Sequence, residues 1–363
     1  MSSAGLKTLT AILADPNVNE VMWNGFDSAF IEFNGALQAI PSPFTTSADF
    51  ETVLRTLSKI PNAVQTQGVA VDGVMSDGSR FHITWPPLSP DGPTLTVRKF
   101  SSRHRGLSHL VAAGFMSAKL GRFLEACVKG RVNILVSGAT GAGKTNLLNT
   151  LASLVGPDER IITIEDVPEL QLKHANWVRL VASSRQGFEK GSEKGRMTVQ
   201  DCLIGCLRMR PDRIIVGECR SHETQEMLET MNSGHDGGMT TIHANSSSDA
   251  MSRLETLILF HVGVDVPIRA LRKRISDAID LVIQVKKTSD GKRYIDEVVE
   301  VVGMEGETIT RLPIFKHTDG KDNGGVLRLI TTGHPPTFLK RLELHGAQLP
   351  KGFFDPQGFE SAA

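Results

Sequence analysis

The apolar positions of this 363-residue chain change their spacing near residue 107. Before that point, VNEVMWNG, SAFIEFNGAL and VDGVMSDGSRFHITWPP alternate apolar and polar residues and break at Asn-Gly, Asp-Gly and Pro-Pro. That pattern predicts short strands joined by tight turns. Between them, SADFETVLRTLSKI has apolar residues at helical spacing, with Ser47 as the expected N-cap. A small α+β domain is therefore expected over residues 1–100, followed by a polar linker, SSRHRG, at 101–106.

From Leu107 the elements lengthen. LSHLVAA and SAKLGRFLEACVK read as amphipathic helices, VNILVS as an apolar strand, and a glycine loop then leads into helical NLLNTLASLV. Three more apolar β-rich runs follow: RIITIED at 160–166, DRIIVGE at 212–218 and TTIHAN at 240–245. Strands alternating with helices predict an α/β domain, a parallel sheet with helices on both faces, over residues 107–318. Within it, GFEKGSEKGRM (187–197) is rich in Gly, Lys and Glu and reads as mobile. Residues 319–363 form a tail rich in Gly, Pro and Leu, whose docking site the sequence leaves open.

Composition narrows the function classes. Forty basic residues balance forty acidic ones, so no global charge draws the chain to nucleic acid or anionic lipid. The N-terminus lacks the basic and apolar regions of a signal peptide. Runs such as VNILV and LVI are far shorter than the ~20 residues of a membrane span. A cytoplasmic protein without direct membrane insertion is expected. The four cysteines make no paired CxxC knuckles; Cys127, Cys202 and Cys206 lie in apolar helical stretches and read as buried small hydrophobes.

The chemistry starts at GATGAGKT. Gly138, Gly143, Lys144 and Thr145 satisfy G-x-x-x-x-G-K-[ST], and the loop follows an apolar strand and opens a helix. Glycines let the backbone wrap phosphates with its N–H groups, Lys reaches the β- and γ-phosphates, and the Thr hydroxyl meets Mg²⁺. Gly138, Ala139, Thr140, Gly141, Ala142, Gly143, Lys144, Thr145 and Asn146 are the expected ATP-binding residues. Such a loop needs a carboxylate at a neighbouring strand end. DRIIVGE offers Glu218, with Gly217 where many P-loop proteins place Asp, and IITIEDVPEL offers Glu165, Asp166 and Glu169. NSGHDGGMTTIHAN adds His235 and His243 around a glycine pair, too few ligands for a convincing metal site.

GATGAGKT, ITIEDVPEL, LRMRPDRIIVGECR and GHDGGMTTIHAN resemble, in that order and spacing, the Walker A, Asp box, Walker B and His box of the secretion and pilus traffic ATPases. EVMWNG, DGSRFHITWPPLSPDGPTLTVRKF and EVVEVVGMEGETIT further resemble the CpaF-like branch, which drives Tad (Flp) pili. The similarity covers roughly residues 8–315. It implies a RecA-like P-loop core, a ring of six subunits, Mg²⁺-dependent ATP hydrolysis, and work on inner-membrane platform proteins, with the chain peripheral to that membrane. It also implies roles. Glu165 resembles the base that orients and deprotonates water, and Glu218 the residue that helps hold Mg²⁺ through water; sequence alone leaves the two exchangeable. Arg80, Arg98 and Arg220 match family arginines near the nucleotide. His235 and His243, in the His box, are expected to sense nucleotide state and link hydrolysis to domain motion, with His235 able to approach the nucleotide or a neighbouring subunit. Two departures stand out: Cys219 replaces the usual aliphatic residue, and the four-cysteine zinc module of type II secretion ATPases is absent.

A type IV secretion traffic ATPase is the alternative within this class, because it shares all four motifs. A nucleic-acid translocase fits less well, since neutral charge with one Tyr and three Trp gives neither a basic groove nor stacking platforms. A scaffold that binds ATP with negligible hydrolysis is opposed by the intact acidic set.

Overall fold

In the computed structural model the chain divides into two compact units, one N-terminal and one beginning at residue 104. Residues 4–60, 63–66, 68–100, 106–182, 197–221, 223–262, 266–317 and 329–356 are described. Most of the expected linker and all but Met197 of segment 187–197 lie outside them.

The N-terminal unit is an antiparallel sheet with two helices. Helix α1 (Ala4–Ala14) precedes β1 (Val18–Trp23), β2 (Ala29–Phe33) and β3 (Ala36–Ile40); α2 (Ser47–Leu57) precedes β4 (Val64–Thr66), β5 (Ala70–Val74), β6 (Arg80–Thr84) and β7 (Thr94–Arg98). Their order across the sheet is β3-β2-β1-β7-β6-β5-β4. Asn34 and Gly35, at φ 51° and 87°, turn β2 into β3 through the two positive-φ positions of a tight hairpin. The N-cap of α2 falls one residue earlier than expected. Thr46 Oγ1 accepts from the Asp49 N–H, leaving Ser47 as the first helical residue. Trp23 is fully buried edge-on to Phe44, their ring centres 4.9 Å apart, and Phe50 closes the cluster.

The second unit is a nine-stranded sheet covered on both faces. It opens with α3 (Leu107–Ala112), α4 (Ala118–Lys129), β8 (Ile134–Gly138) and α5 (Lys144–Ala152). Next come β9 (Ile161–Glu165), β10 (Trp177–Val181), α6 (Val199–Cys206), β11 (Arg213–Val216), α7 (Glu223–Asn232) and β12 (Met239–Ile242). Helices α8 (Ser247–Val262) and α9 (Ile268–Ala278) lead to β13 (Leu281–Lys287), β14 (Arg293–Glu305), β15 (Thr308–His317), β16 (Leu329–Thr331) and α10 (Leu339–Leu344). The order is β10-β9-β11-β12-β8-β13-β14-β15-β16, parallel from β10 through β13 and antiparallel beyond.

The burial pattern explains why the central strands lack polar alternation. Ile134 and Val136 of β8 pack with α4 and α5 on one face, while Leu135 packs with the cluster of α6, α7, α8 and α9 on the other. A strand buried on both sides must be apolar at every position. All four cysteines are buried free thiols, and burial pushes the Cys219 thiol up to about 12.

The expected boundary at 318 falls inside this unit. β16 pairs with β15, Leu342 packs onto the glycine that ends α4 (Gly130), and Phe353 and Phe354 join the core beside Phe123. Sequence composition hid this, because the anchoring residues are scattered among Gly and Pro.

Candidate nucleotide site

The phosphate-loop sequence sits at the carboxyl end of β8, a central strand between β12 and β13. Its glycines have distinct reasons. Gly141 and Gly143 adopt φ of 72° and 102°, which side chains resist. A Cβ on Gly138 would instead lie 2.6 Å from the Val285 carbonyl, so this glycine lets β8 lie against β13. Ala142 is buried under the loop, Ala139 and Thr140 are exposed at its rim, and Thr145 and Asn146 occupy the first turn of α5, half-buried.

Lys144 is buried at the loop's centre, donating to the carbonyls of Gly138 (3.0 Å) and Ala139 (3.2 Å). Its Nζ also lies 3.1 Å from His243 Nδ1, and Thr140 Oγ1 lies 3.4 Å from the same nitrogen. An ammonium only donates, so Nδ1 accepts and the ring proton resides on Nε2. Burial, and then the Lys144 charge, hold the His243 pKa below its usual value and keep the ring neutral. Nε2 stands 2.9 Å from Glu218 Oε1, a short contact but poorly aligned, so Oε1 retains acceptor capacity. Glu218 Oε2 pairs with Arg220 Nη2 at 2.8 Å, and Arg220 Nη1 lies 3.9 Å from Asp166. A continuous line of polar groups thus runs Lys144–His243–Glu218–Arg220–Asp166.

Glu165 lies one strand further along the sheet, at the end of β9. Its Oε1 accepts from the backbone N–H groups of Glu169 and Leu170, each at 2.8 Å, so the side chain is aimed by its own following loop. Burial pushes its carboxyl above the ordinary value, opposed by those N–H groups and by Arg179. No hydrogen-bond donor among the described residues reaches its buried Oε2. Gly217 packs closely here: a Cβ would stand 3.1 Å from Glu165 Cγ, a tight contact that a side chain at this position would make with the glutamate's stem.

His235 is not part of this assembly. Gly237 and Gly238, which follow it, donate to the Asn133 side chain at the amino end of β8, and β12 then runs parallel to β8 before reaching His243. Four strand residues span ~13 Å, which puts His235 at the amino end of β12, opposite the end that carries the loop. Within one chain His235 thus stands apart from the loop, and the glycine pair serves the entry to the strand. His235 itself lies beside Ser233, its Nδ1 3.4 Å from the hydroxyl.

Arg80 and Arg98 belong to the N-terminal unit. They are direct cross-strand partners on β6 and β7, and Arg98 is in turn opposite Glu20 on β1. Burial raises the Glu20 carboxyl, and Arg98 counters the shift.

Three further residues gave no sequence signal. Arg293 on β14 donates from Nε to the Gly141 carbonyl at 2.8 Å and braces the tip of the loop. Glu223 accepts from the backbone N–H groups of Arg220 and Ser221, fixing the turn that carries Arg220. Arg179 on β10 approaches Glu165. All three lie outside the motifs; strand pairing brings in Arg179 and Arg293, and a local turn brings in Glu223.

A lysine-bearing glycine loop at the carboxyl end of a central parallel strand, flanked by two acidic strand ends, defines a P-loop α/β protein. The chain belongs to the family of type II/IV secretion system proteins, whose family model matches residues 58–301. It is 31% identical over 319 residues to a putative conjugal transfer protein of Mycobacterium tuberculosis, covering 84% of this chain and 86% of that protein. It is equally 31% identical over 341 residues to the VirB11 protein of Agrobacterium fabrum, covering 84% and 95%. Among solved structures, the ATPase DotB of Legionella pneumophila matches with a TM-score of 0.60 at 20% identity, covering 83% of this chain and 81% of that one. The pilus retraction motor PilT, solved with bound ADP, matches with a TM-score of 0.55 at 19% identity, covering 80% of each chain. These two likenesses concern the fold.

Proposed function

We propose that this protein hydrolyses ATP to drive a secretion machine of the type IV kind, working as a ring of six copies on inner-membrane partners. The observation that carries the ATPase reading is the line from Lys144 through His243 to Glu218, running alongside the buried carboxylate of Glu165. Phosphoryl transfer is governed mainly by positioning and charge, and this arrangement supplies both. Lys144 and the amino end of α5 would hold the phosphates. Glu165, with Oε1 fixed by two N–H groups and Oε2 open as an acceptor, would orient water and take its proton. Thr145 and Glu218 suit a magnesium ion, one hydroxyl and one carboxylate with acceptor capacity beside the lysine. When bound, that ion would neutralise phosphate charge. His243, neutral and between Lys144 and Glu218, would report the position of the lysine to the β11 end.

The machine assignment follows the conjugal-transfer and VirB11 relatives. The Tad (Flp) pilus reading retains support from one local feature: the GMEGETIT stretch spans the β14–β15 hairpin, and its resemblance is to the pilus branch. ATP binding and phosphate release test the core proposal. Lys144→Ala is expected to abolish both, whereas a variant retaining normal turnover would refute the site. Supplying the gene to strains lacking either a conjugation or a Tad-pilus ATPase would separate the two machines by which function returns.

A further inference from the structure

Arg179 lies outside every motif, yet it is held from three directions. Its guanidinium stacks over the Trp177 ring, 4.5 Å from the centroid, and one terminal nitrogen donates to the Leu170 carbonyl. Its Nε stands 3.9 Å from Glu165 Oε2, the buried oxygen that no described donor reaches. The support is itself built: Trp177 Nε1 donates to Thr163 Oγ1 at 2.9 Å, and Arg179 pairs with Thr163 in the β9–β10 register. Thr163 and Glu165 share a face of β9, as Trp177 and Arg179 share a face of β10. The cation is thus pinned beside the carboxylate, too far to occupy Oε2 with a hydrogen bond and close enough to act on it through space.

We propose that Arg179 is a positioning residue for the reaction, holding Glu165 ionised and aimed while leaving Oε2 open to accept a proton. This rests on the reading of Glu165 as the base. Among the described residues, two charged side chains bear on Glu165. Glu169 from its own loop opposes ionisation, and Arg179 from β10 favours it. Strand β11 brings up Gly217, and α5 presents neutral Asn149, which accepts from the Gln171 N–H. Among the described residues, Arg179 is the side-chain cation that counters burial at this carboxylate.

The roles of charge and shape can be separated in the full-length protein. Because Arg179 favours the ionised carboxylate, neutralising it should raise the pH at which Glu165 protonates. Arg179→Gln should therefore move the acid limb of kcat to higher pH by about half to one unit, discounted for a group one-third exposed. KM for ATP should stay within about twofold of the parent. Arg179→Lys keeps the charge, loses the planar fork, and should leave the acid limb where it is. Identical pH profiles for Gln, Lys and parent would overturn the inference. So would equal displacement in both variants, which would indicate lost shape. Glu165→Gln guards the premise: turnover retained there removes the base reading, whereas turnover lost there with an unmoved Arg179→Gln profile removes only the role of Arg179.

Discussion

Glu165 and Glu218 end neighbouring parallel strands, β9 and β11, yet their surroundings differ in kind. Glu165 is 3% exposed and has one oxygen tied to two backbone N–H groups, with an arginine nearby but not bonded. Glu218 is 19% exposed at its side chain and lies between a neutral histidine and a paired arginine. A rigid backbone clamp aims a carboxylate and leaves its remaining oxygen basic. A cradle of side chains suits a carboxylate whose partners change during a cycle. Under the proposed function, this difference supports Glu165 for the proton and Glu218 for the ion and the relay, two roles that sequence left exchangeable.

The comparison can be broken in order of effect. Glu165→Gln should lower kcat by about 10²–10⁴-fold, the usual loss for a general base, while ATP still binds. Equal kcat losses in Glu165→Gln and Glu218→Gln at saturating magnesium would erase the distinction. The pH dependence is smaller and its sign is fixed. A base must be ionised, and burial raises the Glu165 carboxyl, so kcat should fall on acidification at a pH above the ordinary carboxylate value of about 4.3. His243 is shifted the other way, downward, so it should add no limb near its usual value. An acid limb that vanished in His243→Asn would reverse that assignment. His243→Ala should cost several-fold in kcat with ATP affinity preserved, and His235→Ala, at the far end of β12, should cost less than that. Steady-state kinetics beside a binding titration would rank the two histidines.

Local sequence held much of this. The glycine loop, the apolar central strands and the two acidic strand ends were readable because a P-loop constrains consecutive residues. What the sequence concealed was registry. The two histidines of NSGHDGGMTTIHAN look like a pair in one dimension, but β12 between them carries them to opposite ends of the strand. Arg179, Arg293 and Glu223 reach the site only through strand order or a turn, which no spacing rule encodes. The carboxyl-terminal strand and helix were missed for a related reason: few apolar residues suffice when a preformed edge and a glycine already fit them.

The most direct test is a magnesium titration of ATP turnover in Glu165→Gln and Glu218→Gln, read as the half-saturating Mg²⁺ concentration. Loss of a residue holding the ion should raise that concentration about 10–100-fold for Glu218→Gln. Glu165→Gln should retain the parental magnesium requirement with a depressed maximum. A raised magnesium requirement in Glu165→Gln, with Glu218→Gln unchanged, would contradict the assignment of the two strand ends.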